Sequence, residues 1–480
     1  MASVKKNFLY NIAYQILIII VPLITTPYVS RCLGSNNIGV YSYTYSLVTY
    51  FTLFAGLSFA MYGQREIAYV QNDIHKRSCV FWEIQIFKTI TYSIAIVAYI
   101  FLCLNYSEYK SILWINLLIV LGNYFDVSWL FQGLENFKII TIRNFIIKIS
   151  GCILIFIFVN NENDLLIYVA INAITIFLGY LSLWVYVPQY TIKIKMEEIK
   201  IFRNIRSIIE LFIPMMASNV YNVLDKTMLG LLGNARETGY YEQTTKIITL
   251  CMALVTAIGP VVYPRMSVQY ANNNITAMKV KINYIYRFIL CIACPIFWGV
   301  LGISENLCLW FFGSDFIGVN KILNLYAVVL LIIPLSLISE YAILTPTNNQ
   351  NKGSIAVCIG ACVNFLLNIL LIPKEFAVGA SIATIVAESI VTFIHLYFVR
   401  SYLNGKKLFT YFLKYFIIGF IMYKIIVPIQ FNLINIGINR IAVTFLQVIF
   451  GVIVYLIGLI VTKDKFINDF VNILRKNLCK

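Results

Sequence analysis

Glu210, Pro214, Ser218, Tyr221 and Asp225 follow one another at steps of four, four, three and four residues. At 3.6 residues per turn such steps place all five on one helix face. Asn219, Asn222 and Lys226 make the adjoining face. The chain around them is apolar, so one helix carries two polar faces through a hydrophobic stretch. Milder stripes recur in two other segments: Asn11, Gln15, Pro22 and Thr26 in one, and Asn116, Asn123 and Asp126 in the other, with Trp129 one turn on. Carboxylates, amides and ammonium groups gathered on one face suit the binding of a polar, charged ligand. They do not suit catalysis here. The sequence has no paired carboxylates at acid/base spacing, no nucleophile with a base and no phosphate-cradling glycine loop, so no catalytic residue is expected. Most of the eleven cysteines sit in apolar segments, where a thiol behaves as a small apolar group. Cys291 and Cys294 have CxxC spacing, but there is no second pair and only two histidines. No metal and no cofactor is expected.

Charges inside apolar segments are costly, and each is a candidate for lining a hydrated path. Lys88, Asp126, Lys148 and Glu210 fall toward one end of their segments, and Arg31, Asp225, Lys226 and Lys246 toward the other. Together with Tyr221 and Asn222, all of these but Glu210 form the candidate ligand-binding set. Glu210, Glu340 and Glu388, with His395 near the last, are candidates for coupling a proton or cation. Pairing within their own region is the competing explanation for the last three. For Lys88 and Lys148 the competing explanation is snorkelling, with the stem in lipid and the ammonium at the interface. For the asparagines and serines it is helix-to-helix glue. Asp225 and Lys226, being adjacent, point about 100° apart and need not pair.

Composition determines what holds these residues. The chain has 480 residues, 60% hydrophobic and 12% charged, and a mean hydropathy of +0.82. A soluble protein carries roughly 25% charged residues, so this chain cannot cover a surface facing water. Apolar runs of about 20 residues, each enough to cross a bilayer core as a helix, recur along its length. The strict alternation of a membrane β-barrel is absent. The pattern predicts an all-α polytopic membrane protein of about 14 transmembrane helices, the first at 8–30 and the last at 441–462. The first has no small-residue cleavage site and is expected to be a retained helix. The stretch 303–320 is ambiguous between helix and interfacial segment. With the N-terminus placed in the cytoplasm, the tails and even-numbered loops carry 26 of the 37 Lys and Arg residues, against 5 on the other side. Both termini are then cytoplasmic by the positive-inside rule. That bias also explains the net charge of +16 without a nucleic-acid partner. Asn274-Ile275-Thr276 matches a glycosylation acceptor but falls in an expected cytoplasmic loop.

The chain repeats itself. LGSNNIGVYSYTYSLV at 33–48 is echoed by LGNARETGYYEQTTKII at 232–248. Each copy opens the second span of its half. Pro22 and Pro214 interrupt the apolar runs before them. A six-span unit repeated once keeps its orientation, which makes a parallel repeat of the kind secondary transporters use. The expected organisation is a six-helix lobe at 1–187, a basic connector at 188–206, a second six-helix lobe at 207–399, and two extra helices with a tail at 400–480. A central cavity is expected between the lobes. The connector and the tail are candidates for amphipathic helices on the anionic leaflet. Most of the 33 Tyr and 34 Phe suit interface belts and packing, including Tyr41, Tyr43 and Tyr45.

PLITTPYVSRCLGSNNIGVYSYTYSLVTYF at 22–51, GQREIA at 63–68, DVSWLFQGLENFKIITIRN at 126–144, LDKTMLG at 224–230, TGYYEQTTKI at 238–247 and GPVVYPRMS at 259–267 form an ordered set covering nearly the whole chain. That set resembles the Wzx-type flippases and polysaccharide exporters of the MATE-like superfamily. The resemblance implies alternating access between two lobes. The expected cargo is an isoprenoid-diphosphate-linked oligosaccharide repeat of O-antigen, capsular or exopolysaccharide type, carried from the inner to the outer leaflet of the bacterial cytoplasmic membrane. Its partners would be that substrate, membrane lipids and the polysaccharide polymerase and assembly machinery. Arg31 and Lys226 are then first choices for the diphosphate, since cations bind phosphate oxygens strongly. The alternative is a cation- or proton-coupled exporter of small molecules or drugs with the same fold, whose cavity should be net acidic; the candidate groups here are mixed. A membrane polymerase or glycosyltransferase is disfavoured, because no loop is long enough for a catalytic domain.

Overall fold

The computed structural model describes residues 4–201, 203 and 205–464; the side chains of 4–16, 18, 214, 217, 218, 222 and 260 lie outside the described part. Among the described residues there is no strand. Eleven helical stretches are long and apolar enough to cross a membrane. Two of them are double. Helix α1 (Val4–Gly56) is broken at Gly34, which has φ 73°, a conformation open to glycine because it lacks Cβ. The expected loop after the first span is thus a single-residue break. Further on, a helix running from Gln350 to Val399 is broken at Phe376. Counting those breaks, and the helix Ile205–Leu232, the architecture is consistent with fourteen crossings.

The chain divides into two compact units, Met1–Gly239 and Tyr240–Lys480. In the first, α1 is followed by α2 (Phe59–Tyr69), α3 (Ile74–Asn105), α4 (Lys110–Tyr124), α5 (Ser128–Gly133), α6 (Phe137–Phe158), α7 (Leu165–Leu181) and α8 (Ile205–Leu232), and α9 (Ala235–Thr256) begins. Asp73 starts α3 by accepting the backbone N–H groups of His75 at 3.1 Å and Lys76 at 3.0 Å, the usual work of an Asp N-cap. The Lys76 N–H, before the other causes, holds the Asp73 carboxyl below its ordinary pKa. At one end of the unit, buried Phe59, Phe81, Trp129 and Phe131 form the core, with Phe81 and Trp129 stacked at 5.5 Å. The opposite face of α3 is apolar and exposed at Ile94, Val97, Phe101 and Leu104, as a lipid-facing helix must be.

The repeated sequences meet in space. A Cβ on Gly39 would run into the carbonyl oxygen of Ala235, and a Cβ on Gly239 into that of Ser35. Residues 35 and 39 of α1 therefore cross residues 235 and 239 at the start of α9, backbone against backbone, each contact matching the other under a shift of 200 positions. Such close crossings are what small residues permit between membrane helices. Helix α8 packs on the same part of α1: Thr227 Oγ1 lies 2.8 Å from Ser46 Oγ and 3.1 Å from the Tyr50 hydroxyl, within hydrogen-bond distance of both, and Gly230 makes room for the Tyr43 ring. Tyr43 is accordingly buried, its hydroxyl 2.9 Å from that of Tyr106; it is a packing residue, whereas Tyr45 is exposed.

The connector differs from expectation. Instead of an amphipathic helix it forms short 3-10 turns at Val187–Gln189 and Met196–Glu198, and it is laid against α3. Arg77 Nε donates to the Tyr190 carbonyl at 2.8 Å, Trp82 Nε1 to the Ile192 carbonyl at 3.1 Å, the Ile192 N–H to Ser78 Oγ at 2.9 Å and the Lys200 N–H to Glu83 Oε1 at 3.1 Å. These polar partners on α3 compete successfully with a helix of the connector's own. The tail from 465 onward lies outside the described residues.

The second unit continues with α10 (Gly259–Ala271), α11 (Ile275–Phe311), α12 (Val319–Tyr326), α13 (Val329–Ser339), α14 (Gln350–Val399), α15 (Gly405–Asn435) and α16 (Arg440–Val461). Asn274 caps α11 by accepting the Ala277 N–H at 3.2 Å, so its side chain is used structurally. The ambiguous stretch resolves as helix through Phe311, then a 3-10 turn at Ser314–Phe316. The two extra helices are built into this unit. Gln447 Nε2 donates to the carbonyls of Gly302 and Ile426, each at 3.2 Å. Asn306 and Trp310 both donate to Thr444 Oγ1 at 2.8 Å, and the Tyr455 hydroxyl to the Cys291 carbonyl at 2.8 Å. Below them, Asp464 is 1% exposed and accepts from Arg287 at 2.5 Å, Lys414 at 2.7 Å and Tyr415 at 3.1 Å. A buried carboxylate is tolerable only with such partners.

Candidate ligand path and ion sites

In the first unit the structure brings Lys88 and Asp126 together. Lys88 is 3% exposed and does not snorkel: its Nζ donates to the main-chain carbonyl of Asp126 at 2.7 Å and lies 5.4 Å from the centroid of the Tyr92 ring. The Asp126 carboxylate accepts the Ser128 N–H at 2.9 Å, which holds the turn between α4 and α5 in the shape that offers this carbonyl. The same turn is tied to α7's continuation by Trp184 Nε1, 2.8 Å from the Phe125 carbonyl. Lys88 is thereby fixed on the turn between α4 and α5.

Asp225 is also buried, on α8. Tyr50, Ser46 and Thr227 form a hydroxyl cluster at the same crossing of α8 and α1. Lys226 and Tyr221 are half-buried on α8. The side chain of Asn222 lies outside the described residues. Arg31 on α1 and Lys148 on α6 are exposed. Glu210 forms an exposed pair with Arg206 at 2.9 Å, of the kind that contributes little in water.

In the second unit Lys246 pairs with Glu242 one turn earlier, at 3.4 Å. Glu340 opens a single π-helical turn, Glu340–Leu344, and its Oε1 accepts from Thr345 at 3.0 Å. Gly353 leaves the space that the Glu340 carboxylate fills. Beside it, buried His395 has Nδ1 3.1 Å from the Ser336 carbonyl and Nε2 3.5 Å from that of Gly353. Half-buried Glu340 and buried His395 thus both meet Gly353, while Glu388 lies elsewhere on α14, half-buried.

Some polar groups escaped the sequence analysis. Asn364, Asn368, Thr384 and Tyr241 form a buried chain, with Asn368 to Asn364 at 3.1 Å, Asn364 to Thr384 at 3.3 Å and the Tyr241 hydroxyl to Thr384 at 3.3 Å. The i, i+4 spacing of the two asparagines was the available signal.

This arrangement, buried charges and amides within units of membrane-length helices, defines a polytopic α-helical membrane protein. Its fold matches the solved structure titled "Lipid II flippase MurJ, inward closed conformation" with a TM-score of 0.75 at 18% identity, over 97% of this chain and 100% of that one. It also matches an inward-facing multidrug resistance MATE family transporter of the MOP superfamily, with a TM-score of 0.62 at 13% identity, over 84% of this chain and 95% of that one. The chain belongs to the family described as "Polysaccharide biosynthesis protein", whose profile matches residues 4–269. Among its relatives is the protein named "Putative O-antigen transporter" of Escherichia coli (strain K12), 25% identical over 420 residues, which are 85% of this chain and 98% of the relative.

Proposed function

We propose that this chain is a flippase that carries an isoprenoid-diphosphate-linked oligosaccharide repeat from the inner to the outer leaflet by alternating access. The observation that carries this conclusion is the relationship to an O-antigen transporter along 98% of that protein's length. The physical demand agrees with it. Sugars and a diphosphate must avoid hydrocarbon, whereas the lipid tail can stay in it. The chain places polar and cationic side chains on otherwise apolar helices, Lys88 and Asp225 among them. In this proposal Arg31 and Lys226 contact the diphosphate. Lys88, Asp126, Lys148, Tyr221, Asn222, Asp225 and Lys246 line the route, and Glu210, Glu340 and Glu388 are the candidates for ion coupling. The six-helix lobes, 1–187 and 207–399, move against each other in the bacterial cytoplasmic membrane with both termini inside, and the repeat is passed on to the polymerase and assembly machinery.

The test is access of the lipid-linked repeat to an impermeant reagent outside spheroplasts of a strain lacking this chain. The repeat is expected to stay shielded. The wild-type chain should restore access, and an Arg31→Ala, Lys226→Ala variant of equal abundance should not. Unchanged access in the deletion strain, with no second flippase present, would overturn the proposal in favour of small-molecule export. Full access with the double variant would overturn the diphosphate assignment alone.

A further inference from the structure

His75 and Cys79 are four residues apart at the start of α3, so their side chains share a face. Glu198 reaches the same place from the connector turn Met196–Glu198. His75 Nε2 lies 3.1 Å from Glu198 Oε2, and His75 Nδ1 lies 3.8 Å from Cys79 Sγ. One ligand atom from each of the three residues lies within 4.8 Å of the other two. Around a tetrahedral zinc ion, with bonds of about 2.0–2.3 Å, neighbouring ligand atoms are about 3.3–3.8 Å apart. The two short contacts go to different ring nitrogens, so to share one ion on a single nitrogen the more distant ligand atoms must close by up to about 1 Å.

The donor set selects the ion. A thiolate, an imidazole and a carboxylate together suit zinc, not the oxygen-seeking magnesium or calcium. An ion takes one imidazole nitrogen and leaves the other for a hydrogen bond. Three protein ligands leave a fourth position for water, and the cluster is open to solvent, with His75 and Glu198 side chains 55% and 40% exposed. The backbone carrying Glu198 is already positioned: the hydrogen bonds of Ile192 to Ser78 and Trp82 precede it, and that of Lys200 to Glu83 follows it.

We propose that His75, Cys79 and Glu198 form a binding site for a zinc-class divalent cation that pins the connector to α3. The Cys79 thiol releases its proton to solvent as the Sγ–metal bond forms; no electron transfer is involved. The site is independent of what the protein transports.

The experiment uses the purified full-length chain in detergent. Zinc is titrated against a chromophoric chelator, and cobalt is added separately to observe the thiolate-to-metal charge-transfer band. The wild type should take up one tight equivalent and show the band. Cys79→Ser, which keeps the His75–Glu198 contact and should melt at the wild-type temperature without metal, should lose the band and bind zinc at least about tenfold more weakly. Glu198→Gln should weaken binding but keep the band. Trypsin cleavage at exposed Lys193, Lys195 and Lys200 should slow with zinc in the wild type and not in Cys79→Ser. Zinc binding no tighter in the wild type than in Cys79→Ser, or a cobalt band that survives in that variant, would overturn the site. Tight binding with no change in cleavage would overturn the pinning of the connector.

Discussion

Lys88 and Asp464 are two buried charges resolved in different ways. Lys88 is satisfied by a carbonyl and an aromatic face. Replacing it with methionine keeps the volume but strands the Asp126 carbonyl, at a cost of about 1–3 kcal/mol. A lower melting temperature of the detergent-solubilised protein is the expected result; an unchanged one would show that the carbonyl is served by water. Asp464 is the shared acceptor of Arg287, Lys414 and Tyr415. Asp464→Ala leaves two cations facing each other without a counter-charge and should destabilise by about 3–5 kcal/mol. The triple variant with Arg287→Met and Lys414→Met should recover much of that loss, which a comparison of the two melting curves checks.

At the scale of elements, the crossing of α1 with α9 depends on two missing side chains. Gly39→Val and Gly239→Val each put a branched side chain against a backbone carbonyl. Each is expected to destabilise by about 1–3 kcal/mol through overpacking, while Gly405→Ala, which meets nothing within 4 Å, should leave the melting temperature unchanged. Equal melting of all three variants would mean that the crossing relaxes freely. The connector is the other case in which an element owes its conformation to a neighbour. Its basic residues suggested a helix on a charged leaflet, but Ser78, Trp82 and Glu83 of α3 bind its backbone instead. No local periodicity in 188–206 carries that information.

For the whole molecule, the distribution of Lys and Arg predicts sidedness. Single cysteines placed at Lys195 and at Glu108, in a background freed of exposed thiols, should react with an impermeant reagent from opposite sides of inverted and right-side-out vesicles. Labelling of both from one side would overturn the proposed topology, and with it the proposed cytoplasmic location of the connector.

Apolar length and charge scarcity determined by themselves that this chain is helical and crosses a membrane many times, because those properties depend on composition and on the bilayer thickness alone. The echo at 33–48 and 232–248 exposed the repeat for a related reason: duplicated geometry needs duplicated glycines. Asp225 was legible as a costly charge in an apolar run, and Lys88 likewise. Tertiary structure alone decided what each charge touches: Lys88 on the Asp126 carbonyl, Glu340 beside His395, and Glu198 beside His75 and Cys79 across more than a hundred residues of chain. Such contacts bring together helices distant in sequence, and their packing is not encoded in the period of any one helix.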